Sequence, residues 1–102
     1  MAAILGAELQ QTIRNLEKIR DAQKPPHDDV LVKLDALYEQ QIDLIDASIQ
    51  KTTPEYINAA ASMSDAAKKT QEAIADLAKL DQAIQKVADA IGKVTTLLAA
   101  AT

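Results

Sequence analysis

From Tyr56 to Ala101 the chain repeats every seven residues, and no other feature of the sequence constrains the fold as strongly. With Tyr56 set at position a, Met63, Thr70, Leu77, Ile84, Ile91 and Leu98 follow at a, and Ala59, Ala66, Ala73, Leu80, Val87, Val94 and Ala101 fall at d. A period of seven held for this long keeps one apolar seam facing a neighbouring helix, which is the pattern of a left-handed coiled coil. The seam is uneven. Its first half is built from small residues, whereas Leu77 to Leu98 carries large aliphatics without interruption.

Prolines divide the rest. Pro25-Pro26 and Pro54 cannot donate helix hydrogen bonds and bias their predecessors away from helix, so they separate three helical segments. The first, about residues 2–23, carries Ala2, Leu5, Leu9, Thr12, Leu16 and Ile19 at alternating spacings of three and four, with Ile13 widening the stripe. The second, about residues 28–51, opens on Asp28-Asp29, which suit an N-cap and the positive end of the helix dipole. It has two apolar stripes. Leu31, Leu34, Tyr38, Ile42, Ile45 and Ile49 form the principal one, and Val30, Leu37 and Leu44 the other, so the segment expects two neighbours. The third, about residues 54–101, starts with Thr53 as N-cap and Pro54 in the first turn. Ser62 and Asp65 have capping-box spacing, which marks 62–65 as a place where this helix can break. The expected architecture is all-α: one domain over 1–102, an antiparallel helical hairpin plus a long third helix, as a three-helix bundle or an elongated coiled coil.

Lengths then decide where a partner is needed. The first two segments each span roughly 33 Å at 1.5 Å per residue, whereas the third, unbroken, reaches about 70 Å. Folded back on the hairpin, it overhangs from Leu77 onward. The overhang holds Leu77, Leu80, Ile84, Val87, Ile91, Val94, Leu97 and Leu98. Each such side chain gains about 1.5 to 3 kcal/mol on full burial, so the seam is expected either to fold back into a compact bundle or, preferentially, to be buried by another molecule.

Composition excludes several classes. Eleven basic against fifteen acidic residues give a net charge of -4, and two Tyr with no Phe or Trp leave no platform for bases, so nucleic acid is not an expected ligand. With no Cys, one His and two Gly, the chain lacks zinc spacings, phosphate loops and nucleophile elbows. No enzyme activity, small-molecule substrate, metal or cofactor is expected. No segment approaches the roughly 20 apolar residues of a membrane span, and the opening residues do not read as a cleaved signal peptide. The chain reads as soluble, and its compartment is left open, with cytoplasmic as the default and export without a cleaved signal as the alternative.

The charges are distributed unevenly. Between Asp28 and Asp46 stand six acids and one base, -5 in total, so this segment more than accounts for the net charge. Asp35, Glu39, Asp43 and Asp46 line its polar side, and Lys79, Lys86 and Lys93 recur every seven residues beside the C-terminal seam. The two rows are charge-docking candidates, with a plain solvated surface as the simpler reading. His27, in the proline turn, reads as an exposed turn residue, and Tyr38 and Tyr56 as packing residues with the hydroxyl at an edge. Thr12, Gln41 and Thr70 interrupt apolar seams and are candidates for fixing register. Together these features predict a non-enzymatic helical interaction protein, of adaptor, chaperone, secretion- or phage-apparatus or toxin-neutralising type. It would act through a coiled-coil face on a protein partner or on its own copies. The alternative is a secreted helical protein whose C-terminal helix inserts into a membrane or pore assembly.

Overall fold

The structure, a computed structural model, describes residues 4–22, 28–46, 49 and 53–101, without the side chains of 46 and 101. The described residues are almost entirely helical and contain no strand. Helix α1 covers Leu5–Ala22, α2 Asp28–Asp46, α3 Pro54–Ala75 and α4 Leu80–Ala101, with a 3-10 turn over Leu77–Lys79 between the last two. Pro25, Pro26 and His27 lie outside the described residues, as does most of the 47–52 stretch expected to end the second helix.

The first two segments are helices where the apolar spacing put them. Leu5, Leu9, Thr12, Ile13, Leu16 and Ile19 are buried along α1. Helix α3 starts as expected: Thr53 is extended (φ -71°, ψ 146°), its side chain accepts the Tyr56 N–H at 3.3 Å, and Pro54 opens the first turn. The continuous third helix is not what forms. Residues 62–65 lie inside α3 without interruption, and the chain breaks instead at Asp76. Asp76 is extended (φ -145°, ψ 98°) and serves both helix ends. Its N–H donates to Glu72 O at 3.0 Å, which closes α3, and its Oδ1 accepts the Ala78 N–H at 3.1 Å, which opens the next turn. Aspartate competes well for exposed backbone N–H groups, and here that preference outweighs the helix propensity of its neighbours.

The break folds α4 back along α3 and removes the overhang. The molecule measures 39 × 25 × 17 Å with a radius of gyration of 13.1 Å, against about 13 Å for a compact domain of 100 residues. Leu80, Val87, Val94 and Leu97 are buried, and Ile84, Ile91 and Leu98 pack against the core. The seam expected to await a partner is thus filled by the chain itself, save for Leu77, which stays 46% exposed on the turn. Each helix packs chiefly on two others: α1 on α2 and α3, and α4 on α3 and α2. Polar contacts give the directions. Leu5 N–H meets Tyr56 Oη, Thr12 Oγ1 lies 3.5 Å from Met63 O, and Asn15 Nδ2 donates to Ala67 O, at sequence separations of 51, 51 and 52. A constant separation means that α1 and α3 run parallel. The alanines of the first half-seam, Ala59, Ala66 and Ala73, are buried in the core together with Ala60, where small side chains allow close approach.

Candidate functional site

Helix α2 has more apolar surface than its neighbours cover. Val30, Leu34 and Leu37 are buried between α1 and α4, and Leu44 packs at the edge of the core. The stripe expected to be principal is split: Leu34 is buried and Tyr38 and Ile49 pack against the core, whereas Leu31 is 38%, Ile42 62% and Ile45 78% exposed. Tyr38, on the same flank, is half-buried because its hydroxyl donates to Glu17 Oε2 of α1 at 2.7 Å. That bond and partial burial hold the Tyr38 phenol above its ordinary value of 10.0, against a smaller opposing effect from Arg20. Arg20 is itself raised, chiefly by its hydrogen bond to Asp21.

At the C-terminal end of α2 the exposed flank runs into an apolar cleft of about 330 Å³. Leu5, Gly6 and Leu9 of α1, Gln41, Leu44 and Ile45 of α2, and Ile49 and Tyr56 line it. Tyr56 is held in place by the Leu5 N–H, an unpaired first-turn donor of α1 that its hydroxyl accepts at 3.1 Å. Gly6 leaves open space on the cleft wall. A larger hollow of about 760 Å³ between α1 and α3 is bordered by Glu8, Gln11, Asp65, Lys68, Gln71 and Glu72, which favour water.

Charge borders the apolar flank on one side. Asp35, Glu39 and Asp43 are exposed, as the acidic row requires, and the side chain of Asp46 lies outside the described residues. Lys79 lies 4.0 Å from Glu72, which also pairs with Lys69 at 3.5 Å, and Lys86 and Lys93 are exposed on α4. Among the described residues no group of three or more His, Cys, Asp or Glu is placed to hold a metal ion, and no helix is long and apolar enough to cross a membrane.

Polar residues inside the core form two separate contacts. Between α1 and α3, the fully buried Asn15 donates to Ala67 O at 3.0 Å and to Thr70 Oγ1 at 3.1 Å, and accepts from Gln11 Nε2 at 2.9 Å. Thr70 donates its own O–H to Ala66 O at 2.8 Å, and Thr12 donates to Glu8 O at 2.9 Å. Between α2 and α4, Gln40 Nε2 donates to Ile91 O at 3.0 Å and Thr95 Oγ1 at 3.1 Å, while its Oε1 is buried without a partner. Thr12 and Thr70 were visible in the sequence as seam polars. Gln41 is only half-buried, and the buried amide is its neighbour Gln40. Asn15 was missed, although its place three residues after Thr12 and four before Ile19 puts it on the stripe.

No protein-family model, curated protein or solved structure matches the chain.

Proposed function

We propose that the protein is a non-enzymatic helical interaction module whose docking surface is the exposed flank of α2 with the adjoining cleft. Its occupant is an amphipathic helix of a partner protein, apolar on one side and basic along the border. The observation that carries this reading is the outward row of Leu31, Ile42 and Ile45 on a helix that already buries Val30, Leu34 and Leu37 against its neighbours. Exposed aliphatics scattered singly are ordinary, but a stripe continued by a cleft offers a groove for anchors spaced at i, i+3 and i+4. Leu31 to Ile45 spans about 21 Å along the helix, or four turns. The exposed Asp35, Glu39 and Asp43 beside it favour basic residues on the incoming helix and disfavour acidic ones. The C-terminal seam, first choice from the sequence, is less suited to this role because α4 has buried it.

A model amphipathic peptide of Leu and Lys, about four turns long, tests the surface directly. Binding is expected to move the amide resonances around Ile42 and Ile45, to weaken with salt, and to be lost in the Ile42→Asp, Ile45→Asp double variant. That variant should melt within a few degrees of the parent, since both side chains already face solvent. Binding that maps to another face, or persists in the double variant, overturns the reading.

A further inference from the structure

The turn between α3 and α4 is unusual in what it lacks. Ala75-Asp76-Leu77-Ala78-Lys79 contains neither Gly nor Pro, and only Asp76 and the three residues of the 3-10 turn separate the two α-helices. The conformation of Asp76 itself (φ -145°, ψ 98°) is ordinary extended backbone, so a rotation of that residue and a relaxation of one turn join the two helices. The seven-residue repeat runs through this joint in phase: Thr70, Leu77 and Ile84 remain at a, and Ala73 and Leu80 at d. A sequence meant only for a hairpin has no reason to keep that phase across its turn, whereas a straight helix requires it.

We propose that this hinge opens and that α4 is exchanged between two copies of the chain, giving a dimer built on straight α3–α4 helices. Each α4 then packs on the other copy's α2 and α3, so the contacts that α4 makes in the closed molecule are remade between copies. The geometry is self-consistent at the centre. Ser62 of α3 lines one hollow with Ala88, Asp89, Gly92, Lys93 and Thr96 of α4, so the midpoints of these pairings fall between residues 75 and 79, around Leu77. Opening the hairpin therefore sets the turn around Leu77 of one copy against the same turn of the other. In the closed form Leu77 is the large seam residue left 46% exposed, and in the dimer its counterpart covers it. The proposal stands apart from the α2 docking surface and survives the failure of that reading.

The closed form is favoured by the effective concentration of its own α4, of millimolar order for a short connection, so the parent is expected to dimerise only near millimolar concentration. Asp76→Ala removes the cap and supplies a better helix former. At about fivefold per hinge, with two hinges opening, the dimer is favoured about 25-fold more and appears at tens of micromolar. Leu77→Pro does the opposite, since proline fits the first position of the turn after an extended residue but not the middle of a straight helix. Light scattering gives the mass. The chain has no Cys, so spin labels on Asp65→Cys and Asp89→Cys, in labelled chains diluted with unlabelled ones, report the hinge: neighbours when closed, about 36 Å apart on a straight helix. The expected result is a long distance in Asp76→Ala dimers and a folded, monomeric Leu77→Pro. Asp76→Ala that stays monomeric, or dimers keeping the short distance, overturn the proposal. Should Asp76→Ala not fold, the parent refolded at millimolar concentration decides: absence of dimer there, or equal dimer in Leu77→Pro, overturns it too.

Discussion

Asn15 offers the most exacting test of how the two halves of the molecule are held together. Its amide is fully buried between α1 and α3, and both of its N–H groups are used across the interface, on Ala67 O and Thr70 Oγ1. The opposite orientation of the amide would set Oδ1 against a carbonyl oxygen, so the assignment follows from the partners. Asn15→Ala removes two interhelical hydrogen bonds at about 1 kcal/mol each and leaves a small void, for a total of about 2 to 4 kcal/mol. For a domain of this size that lowers Tm by about 10 to 20 °C. Thr70→Val keeps the shape but strands one Asn15 N–H, costing about 1 to 2 kcal/mol. In the Asn15→Ala background the same valine strands nothing on α1, so the double variant should be more stable than the sum predicts by about 1 kcal/mol. Urea unfolding followed by far-ultraviolet circular dichroism, at one protein concentration, measures all four species. A loss below about 0.5 kcal/mol for Asn15→Ala, or strict additivity of the pair, would refute the claim that this contact joins α1 to α3.

Two further outcomes concern single side chains. Gly92 lies inside α4 with open space where a Cβ would stand, so Gly92→Ala should raise stability by about 0.5 to 1 kcal/mol, read as a higher Tm. Tyr38 is held protonated by Glu17, so above pH 10 the unfolded chain loses a proton that the folded chain keeps. Its contribution is therefore complete below pH 10 and lost as pH rises through the raised folded value, and Tyr38→Phe should flatten that part of the stability profile.

How much of this was legible in the sequence can be judged element by element. Helix α1, the start of α2 and the Thr53-Pro54 start of α3 were readable because each rests on a local signal: spacing, paired acids, or a capping residue before proline. The break at Asp76 was not, because a single capping aspartate among helix formers leaves the periodic pattern untouched. The spacing at Ser62 and Asp65 resembled a helix start more closely, yet both sit inside a helix held by packing on two sides. That one difference reversed the inference about the C-terminal seam. On α2 the two apolar stripes were visible, but which residues turn inward depends on where α1 and α4 lie, and the richer stripe is divided, with Leu34 buried and Leu31, Ile42 and Ile45 exposed. Asn15 and Gln40 escaped notice because a buried amide is tolerable only with partners some fifty residues away, and pattern alone does not supply them.

The near-constant separation of 51 between paired residues also bears on how fast the chain reaches this state. Contacts within the hairpins close short loops and form early, on the microsecond scale of helix growth. The α1–α3 and α2–α4 contacts, by contrast, bring together residues half the chain apart. They give a helical protein an unusually non-local topology, so its folding rate should fall below that of helical domains with sequential contacts. The rate-limiting event is then the side-by-side meeting of two preformed hairpins, and substitutions at Asn15 or Gln40 should register mainly in whichever arm of the chevron lies beyond that encounter.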